Sequence, residues 1–300
     1  GRRDTTPAAR AALADIHYAA FESAEAAGDR ARMAAERRWV ELYGGPKASR
    51  FEVTGSIEIA TNPAGAAIEL FRFEEGADRR LEPKPVAFAA MLPVGSYVAI
   101  LKKAGMRDVR YPFVIRRASS EAVLVNLYTD DEIGEDFVYV PAGPFRYGGD
   151  ERALGFDPRS TQTTKDFFIG RFEVTTGEYV KYLNDRSSHT LEEAKRKSPR
   201  VADGAMLLKV VDGAFTILPA WERWPISYIS WMDAAEYCNW RSARDRRFRY
   251  LLPTRFEWEK AARGVDGRSY PWGERFDWTF TKGAQSQPGD SKIEPVGTYA

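Results

Sequence analysis

The chain has 300 residues, of which 44% are hydrophobic and 29% charged, a composition typical of a globular protein with a sizeable core and two or three domains. Its 44 lysine and arginine residues nearly balance its 43 aspartate and glutamate residues. A near-neutral chain has no overall attraction for nucleic acid or anionic lipid, so we expect neither as a partner. No apolar run reaches the roughly 20 residues that span a bilayer, which predicts no membrane insertion within this chain. A cytoplasmic location is favoured, or an extracytoplasmic one if a preceding membrane segment has been removed.

Cysteine and histidine are scarce, which limits disulfide and metal chemistry. Cys238 is the only cysteine, so no intrachain disulfide can form and a disulfide-stapled secreted scaffold is excluded. The two histidines, His17 and His189, form no ligand pair at helical or hairpin spacing. A dedicated zinc or iron site within this sequence is therefore not expected, and the identity of any metal stays unknown.

Residues 1–46 are predicted to form a helical hairpin. Thr6 stands where an N-cap precedes a proline at the first helical position. Small and apolar residues follow at helical spacing, Gly28-Asp29 interrupts them, and Gly44-Gly45-Pro46 ends the second helix. A pair of this size cannot bury its own apolar face. Packing against a neighbouring domain is therefore favoured over the alternative of a partner-docking helix pair.

Residues 47–129 change to the two-residue period of β-strands, starting at Phe51. Short strands separated by tight turns, with no helical pattern, predict a small all-β sandwich. The predicted strands surround Ile57, Ile59, Ile68 and Leu70 and continue at Tyr97–Lys102, Val109–Ile115 and Ala122–Tyr128.

Three short motifs of this sandwich resemble the landmarks of the bacterial PEGA module. They are Pro63-Ala64-Gly65-Ala66, Gly95-Ser96-Tyr97 and Lys103-Ala104-Gly105-Met106. The resemblance implies a non-catalytic module that spaces or anchors other domains.

Residues 130–136 are strongly acidic and are predicted to be a linker. A solvated linker is favoured over a calcium-binding loop, because the segment lacks the alternating oxygen ligands and the central glycine of an EF-hand.

Residues 137–300 begin with a predicted strand, Phe137–Val140. Thr176 is the predicted N-cap of a helix whose apolar face repeats at i, i+3 and i+4, with Tyr179, Tyr182 and Leu183. The following stretch, Asn184–Arg223, has no regular pattern apart from a hairpin turn signal at Asp212-Gly213. Irregular stretches of this length are usually functional or mobile.

Three motifs carry the most specific signal. They are Pro225-Ile226-Ser227-Tyr228-Ile229-Ser230-Trp231-Met232-Asp233-Ala234 with Tyr237-Cys238-Asn239-Trp240, then Leu252-Pro253-Thr254-Arg255-Phe256-Glu257-Trp258-Glu259-Lys260-Ala261-Ala262-Arg263-Gly264, and Tyr270-Pro271-Trp272-Gly273-Glu274. Their rare residues recur in the order and at the spacing of the sulfatase-modifying factor, or formylglycine-generating enzyme, family. The resemblance extends over residues 137–300 and implies an α+β, C-type-lectin-like fold there.

The matched motif residues are interpreted as a structural scaffold. Ser230 is a predicted N-cap with Asp233 in the first helical turn, and Thr254 and Glu257 have the spacing of a capping box. Cys238 shares a helix face with Tyr237, which favours a buried small side chain over a reactive thiol. Four tryptophans are expected to supply the core: Trp231, Trp240, Trp258 and Trp272. The complete set of structural motif residues is Trp231, Asp233, Tyr237, Trp240, Pro253, Thr254, Glu257, Trp258, Arg263 and Trp272.

The sequence departs from the family pattern in ways that bear on function. Leu251 and Arg255 replace an arginine and a glutamate, so an arginine–carboxylate pair common in the family is absent. The segment Asp277–Lys282 offers one carboxylate, that of Asp277, where the family usually binds calcium, so a calcium site is unsupported. The second half of the family domain, with the two cysteines that bind copper in the oxidases, does not occur in this sequence. No catalytic residue is therefore assigned, and we expect a continuation or a second chain to complete the domain.

Two functions of different classes follow from the resemblance. The first is a non-catalytic recognition or sensor module that binds a protein or peptide; the order of hairpin, sandwich and last domain resembles the region downstream of the kinase in some bacterial serine/threonine kinases. The alternative is a copper-dependent oxidase that converts the cysteine of a C-x-P-x-R peptide to formylglycine, with a thiolate pair suited to Cu(I). A purely structural module without a ligand is the third interpretation. The ligand and the oligomeric state stay open.

Overall fold

The computed structural model describes residues 6–44, 54–117, 119–150, 155–282 and 293–298. The chain divides into two compact units. The first comprises the described residues within Gly1–Tyr128, Pro141–Thr163 and Arg263–Gly273, and the second those within Thr129–Val140, Thr164–Ala262 and Glu274–Ala300. The helices and several small sheets of the described residues confirm the predicted α+β class. The predicted domain boundaries after residues 46, 129 and 136 stay predictions.

Two helices begin the first unit and confirm the predicted hairpin. Helix α1 (Pro7–Ala27) starts at the predicted N-cap Thr6 and ends at Gly28, whose φ of 69° lies in the left-handed region that favours glycine. Helix α2 (Arg30–Tyr43) follows after one further residue. Gly45-Pro46, predicted to end the hairpin, lies outside the described residues. In the part of the chain that the structure describes, no helix is both long enough and apolar enough to cross a membrane.

Two sheets of the first unit confirm the predicted all-β character of the residues that follow. Their strands are β1 (Thr54–Asn62), β2 (Ala67–Glu75), β3 (Leu81–Val86), β4 (Leu92–Pro93), β5 (Gly95–Lys102), β6 (Val109–Ile115) and β7 (Ser120–Asn126). One sheet is antiparallel in the order β3-β2-β5-β6, and the other has the order β4-β1-β7 with β1 and β7 parallel. Phe51, where the strand pattern was predicted to begin, lies outside the described residues.

Sequence periodicity does not predict β3 or β4. Strand β3 contains Pro83 and Pro85, and proline in a run of residues argues against a central strand. Its place at the edge of the four-stranded sheet explains why the missing N–H groups are tolerated. The resemblance to the PEGA module stays a prediction.

Arg117 joins α1 to the strand region of the same unit. Its guanidinium donates hydrogen bonds to both carboxylate oxygens of Glu25, at 3.1 and 3.2 Å. It also lies 5.0 Å from the ring centre of Phe21 and 5.7 Å from that of Tyr18. Because both charged side chains are mostly buried, this pair contributes more than an exposed ion pair would. The hairpin therefore packs against its neighbour, as its size predicts.

The remaining elements lie between residues 130 and 263. In chain order they are α3 (Asp130–Ile133), β8 (Phe137–Val140), β9 (Gly143–Tyr147), β10 (Ser160–Thr164), β11 (Phe167–Gly170), α4 (Thr176–Leu183), α5 (Leu191–Lys197), β12 (Lys209–Val211), β13 (Ala214–Thr216), α6 (Trp231–Arg244) and α7 (Arg255–Arg263). Strand β8 pairs with β11, and β9 pairs with β10. Strands β12 and β13 pair across the turn predicted at Asp212-Gly213.

Two helix starts of the second unit differ from prediction. Thr175 caps α4, not Thr176: its hydroxyl accepts from the Glu178 N–H at 3.2 Å, and the Glu178 carboxylate accepts from the Thr175 N–H at 2.8 Å. Thr190 and Glu193 form the same capping box and start α5 inside the stretch predicted to be irregular. Both boxes satisfy backbone N–H groups that a helix start would otherwise leave unpaired.

The acidic segment 130–136 also differs from a simple linker. Thr129 and Glu132 form a capping box at the start of α3. The carboxylates of the short helix face solvent, as predicted, but Ile133 is buried. One apolar anchor therefore fixes a segment whose composition suggests full solvation.

The main core of the second unit is built around α4. Its buried members are Tyr179, Val180, Tyr182, Leu183, Ala194, Leu208, Phe215 and Tyr237. Residues from α4, α5, the β12–β13 hairpin region and α6 thus share one cluster, in which large aromatic side chains supply most of the buried area. Helix α6 is held in place by this cluster.

We expect Arg117→Ala to lower the free energy of unfolding by about 2 kcal/mol, because Glu25 is left mostly buried without its partner. Arg37→Ala is the matched control. It removes an exposed i,i+4 pair with Glu41, worth about 0.5 kcal/mol. Urea unfolding of both variants checks the prediction, and equal losses would contradict the anchoring role of Arg117.

Candidate functional site

Helix α6 carries the first family motif and begins as the sequence predicts. The Ser230 hydroxyl accepts from the Asp233 N–H at 3.1 Å, and the Asp233 carboxylate accepts from the Ser230 N–H at 3.1 Å and from its hydroxyl at 2.6 Å. This capping box fixes where the helix starts. The start in turn determines which side chains of α6 face the core.

Tyr237 is the inward-facing anchor of α6. It is 4% exposed, and its ring centre lies 5.6 Å from Tyr179 and 5.8 Å from Tyr182. Burial raises the pKa of Tyr237 to about 12. Cys238 is half-buried beside this cluster, and burial raises its thiol pKa, with Arg241 opposing the shift. A protonated thiol is a poor nucleophile and metal ligand, as the scaffold interpretation predicts.

Asp185 holds Trp240 in position from the loop after α4. Its carboxylate accepts from the Trp240 indole Nε1–H at 2.6 Å, from the hydroxyls of Ser187 and Ser188 at 2.7 Å each, and from Arg244 Nε at 2.9 Å. The Asp185 side chain is 10% exposed. Hydrogen bonds from Ser187, Trp240, Arg244 and Ser188 hold the pKa of this carboxyl well below its usual range. The loop and the end of α6 are thereby joined.

Two cavities share Trp240 and Arg244 as lining residues. The first, which we call the Arg241 cavity, has a volume of about 350 Å³ and is lined by Glu178, Lys181, Tyr237, Trp240, Arg241, Arg244, Asp245 and Tyr250. The second, the His189 cavity, has about 610 Å³ and is lined by Tyr182, Ser187, Ser188, His189, Lys197, Glu236, Asn239, Trp240, Ala243 and Arg244. Asp185 therefore fixes a wall that both cavities use.

The charged groups of the Arg241 cavity are mostly committed to partners. The Arg241 guanidinium lies 4.6 Å from the Tyr250 ring centre and 3.6 Å from the Glu178 carboxylate. Asp245 accepts a hydrogen bond from the Tyr250 hydroxyl at 2.7 Å. Lys181 is exposed at the end of α4, and its ammonium group has no ion pair within the described residues. The cavity thus combines rigid aromatic walls with one uncommitted positive charge.

The charged side chains that line the His189 cavity have partners. Lys197 forms an ion pair with Glu236 at 2.6 Å and lies 5.7 Å from the Tyr182 ring centre. The buried His189 ring places Nε2 3.1 Å from the Leu183 carbonyl oxygen. These contacts tie the cavity walls to the core of the second unit, which favours a structural role for them.

Helix α7 carries the second family motif and buries an unexpected residue. Thr254 and Glu257 form the predicted capping contacts, with the Glu257 carboxylate accepting from the Thr254 N–H at 2.8 Å. The expected burial of Trp258 is wrong: Trp258 is 61% exposed, whereas Lys260 is 4% exposed and donates to the Thr164 hydroxyl at 2.9 Å. Burial lowers the pKa of Lys260 to about 8, with Asp166 opposing the shift.

The prediction that four tryptophans form the core is wrong for two of them. Trp231 is 70% exposed, since it lies about 120° around α6 from the buried Tyr237. Trp258 lies on the side of α7 opposite Lys260, because residues two apart point in nearly opposite directions on a helix. Trp240 and Trp272 are half-buried, and Trp272 stacks on Tyr270 with ring centres 5.5 Å apart.

The last two motif residues, Pro253 and Arg263, lie just before the start and at the end of α7. Pro253 is exposed immediately before the α7 cap. Arg263 donates from Nε to the Arg268 carbonyl at 2.6 Å and from Nη2 to the Gly267 carbonyl at 3.1 Å. Arg263 thus closes the turn after α7. A scaffold role for the whole motif set stays a prediction.

Sequence reasoning finds Tyr237 and Trp240 but misses other residues that shape the cavities. Asp185, Lys181 and Arg241 belong to no motif, and Asp185 is 55 positions from Trp240. The Thr190-to-Glu193 spacing could have revealed α5 and so the shape of the loop before it. Nothing in the sequence signals the burial of Lys260.

The residues of this chain do not fit a copper site. Cu(I) prefers a pair of soft thiolates, and the sequence supplies Cys238 alone. Within the described ranges, no group of three or more histidine, cysteine, aspartate or glutamate side chains is placed to hold a metal ion. Asp277, the carboxylate considered for calcium, accepts hydrogen bonds from the N–H and the hydroxyl of Thr279 at 2.9 and 2.7 Å.

Comparison with known families gives a direct match for this part of the chain. Residues 127–300 match the family described as the sulfatase-modifying factor enzyme 1-like domain. The chain belongs to this family. The match includes α4, α6, α7 and all the residues that line the two cavities, and it confirms the resemblance inferred from the three motifs.

Relatives of the family domain carry several different names. The chain is 30% identical over 195 residues to the mouse protein named inactive C-alpha-formylglycine-generating enzyme 2, covering 54% of this chain and 61% of the relative. It is 28% identical over 209 residues to the formylglycine-generating enzyme of Thermomonospora curvata, covering 56% and 66%. It is 26% identical over 201 residues to the serine/threonine-protein kinase pkn1 of Chlamydia caviae, covering 64% and 30%. The chain thus spans about 61% of the first of these relatives.

We expect Asp185→Asn to lower the melting temperature at pH 7 by a few degrees and to weaken the hydrogen bond to the Trp240 indole. Because the folded-state pKa of Asp185 is lowered, its contribution is present above the unfolded value of about 3.9 and is lost as pH falls below it. The difference between wild type and variant should therefore narrow below about pH 4. Thermal unfolding from pH 7 to pH 3 checks this, with the exposed turn variant Asp212→Asn as control. A difference independent of pH would contradict the account.

We expect Lys260→Met to raise the free energy of unfolding at pH 7 by on the order of 2 kcal/mol. The folded-state pKa is about 8 against 10.5 for a free side chain, so the unfolded chain binds more protons between these values. The free energy of unfolding of the wild type therefore rises between about pH 8 and pH 10.5. The greater stability of Lys260→Met disappears by about pH 10.5. Urea unfolding at pH 7 and pH 10.5 tests this against the exposed control Lys209→Met. A lower stability of Lys260→Met at pH 7 would contradict it.

Proposed function

We propose that this domain is a non-catalytic recognition module and that the Arg241 cavity is its binding site for a peptide segment. The proposal rests on the rigidity of the aromatic side chains that form the cavity walls. Tyr237, Trp240 and Tyr250 are fixed by packing and hydrogen bonds, so a ligand need not order them. Rigid aromatic side chains are common anchors at protein interfaces.

The charge of the cavity indicates the ligand class. Arg241 and Arg244 have acidic partners of their own, in Glu178 and Asp185. Lys181 at the rim does not have such a partner within the described residues. A peptide that places an acidic side chain against Lys181 and an aromatic or apolar side chain against Trp240 fits this arrangement.

The comparisons support a place for the module in a larger bacterial signalling protein. The similarity to the Chlamydia caviae kinase covers 64% of this chain, more than residues 127–300 alone, so it extends upstream of the family domain. We propose that the hairpin and the β-sheets present the recognition domain to a partner of such a kinase.

A copper-dependent oxidase is the second candidate. The similarity to the Thermomonospora curvata enzyme favours it, as does the family match. The state of Cys238 argues against its taking part, since burial raises the thiol pKa and a single thiol does not make the soft ligand pair. An oxidase would therefore depend on cysteines outside this sequence.

We expect a displayed library of random seven-residue peptides, selected on the full-length protein, to yield acidic sequences. Lys181→Glu should weaken their binding about tenfold, since it reverses the uncommitted charge. The matched control Lys209→Glu changes an exposed lysine that lines neither cavity and should bind normally. Affinities from fluorescence titration check this.

Two results would overturn the proposal. One is equal binding by Lys181→Glu and Lys209→Glu. The other is formylglycine formation, detected by mass spectrometry, when the copper-loaded full-length protein is incubated with a C-x-P-x-R peptide. The second result would establish the oxidase instead.

A further inference from the structure

Four arginines of the first unit gather near the end of α1. They are Arg30, Arg116, Arg146 and Arg159, which come from α2, the end of β6, β9 and the segment before β10. Burial lowers the pKa of Arg146, and the positive charges of Arg116 and Arg159, and more weakly Arg30, lower it further, while Asp266 opposes them. Because arginine keeps its proton under ordinary conditions, a bound negative charge would relieve this repulsion.

The guanidinium groups of Arg146 and Arg159 converge on one point. A methyl group placed on Gly28 would overlap Nη1 of Arg159 and lie 3.3 Å from Nη1 of Arg146. Arg159 Nη1 donates a hydrogen bond to the Ala27 carbonyl at the end of α1. That contact accounts for the position of Arg159, since helix ends leave carbonyl groups unpaired. It does not account for Arg146.

The position of Arg146 is fixed although its guanidinium has no acidic partner among the residues that the structure describes. Its backbone N–H donates to the Val265 carbonyl at 3.1 Å, and a methyl group placed on Gly267 would lie 3.0 Å from its Cβ. Within the described residues, its guanidinium takes part in no hydrogen bond or ion pair. The half-buried side chain is thus held in place by its aliphatic part, while its guanidinium makes no direct contact with an acidic group of the described residues.

Three acidic groups near the cluster already have partners, and one of these partners, Arg116, belongs to the cluster. Asp266 pairs with Arg268 at 2.6 Å and accepts from the Ser96 hydroxyl at 2.7 Å. Glu25 forms its pair with Arg117. Glu121 is 3.6 Å from Arg116. None of these pairs includes Arg146 or Arg159.

We propose that Arg146 and Arg159, with Arg116 and Arg30 around them, form a binding site for a phosphate dianion, either free phosphate or the phosphorylated side chain of a protein. A dianion with several acceptor oxygens balances more than one guanidinium and can accept paired N–H donors from each. The carboxylate of a peptide supplies one charge and two oxygens. This site is in the first unit and does not depend on the function proposed for the Arg241 cavity.

The test uses the full-length protein and four probes: sodium phosphate, sodium chloride at equal ionic strength, a phosphothreonine peptide and the same peptide without phosphate. Phosphate should raise the melting temperature more than chloride does, and the phosphothreonine peptide should bind more tightly than its unmodified form. Tight peptide binding identifies a phosphorylated protein as the source of the group. Binding of phosphate alone identifies a free ion.

Arg146→Gln should weaken phosphate binding by about tenfold and, without phosphate, should leave the melting temperature unchanged or higher because repulsion is relieved. Arg110→Gln, at an exposed position of β6, is the matched control and should bind phosphate normally. Equal stabilisation of the wild type by phosphate and chloride would overturn the proposal. So would equal phosphate affinity in Arg146→Gln and the control, or a lower melting temperature of Arg146→Gln without phosphate, which indicates a structural ion pair.

Discussion

The hydrogen bond from the Trp240 indole to Asp185 is the contact on which the candidate site depends. It joins the end of α6 to the loop after α4 across 55 positions of sequence. Because the same carboxylate also accepts from Ser187, Ser188 and Arg244, one side chain orders the loop, the helix end and the wall shared by both cavities. A mostly buried acceptor of this kind is costly to leave unpaired. The cavity shape is therefore tied to the stability of the second unit, and the proposed binding surface is preformed.

The environment of Cys238 argues against a role for this thiol in an oxidase. Its helix is anchored by Tyr237, and the thiol lies at the edge of an aromatic core where burial favours the protonated form. The motif residues of α6 and α7 mostly start helices, fill space or close turns. Family membership thus describes the scaffold of this domain, whereas function is determined by the groups placed on it. The charged and aromatic groups of the Arg241 cavity are the basis of the peptide-recognition role that we propose.

Helix starts that depend on contacts between nearby residues were the part of the structure that the sequence could predict. Capping boxes at Ser230 and Thr254 need only residues three apart, and both predictions are confirmed. The same signal at Thr190 would have given α5. The buried face of a helix was harder to predict, because helical spacing shows which residues share a face but not which face packs against the core. The buried side chain of α7 is therefore Lys260, and Trp258 is exposed. Contacts such as Asp185 to Trp240 depend on tertiary packing and leave no pattern in the sequence.

The most direct test of the recognition account is the indole N–H spectrum of the protein labelled with ¹⁵N-tryptophan, with signals assigned by single Trp→Phe variants. An acidic peptide selected on the protein would be added in steps. The account predicts that the Trp240 signal shifts with peptide concentration while the signals of the exposed Trp231 and Trp258 stay in place. A shift of Trp231 or Trp258 with an unchanged Trp240 signal would contradict it and would place peptide binding outside the Arg241 cavity.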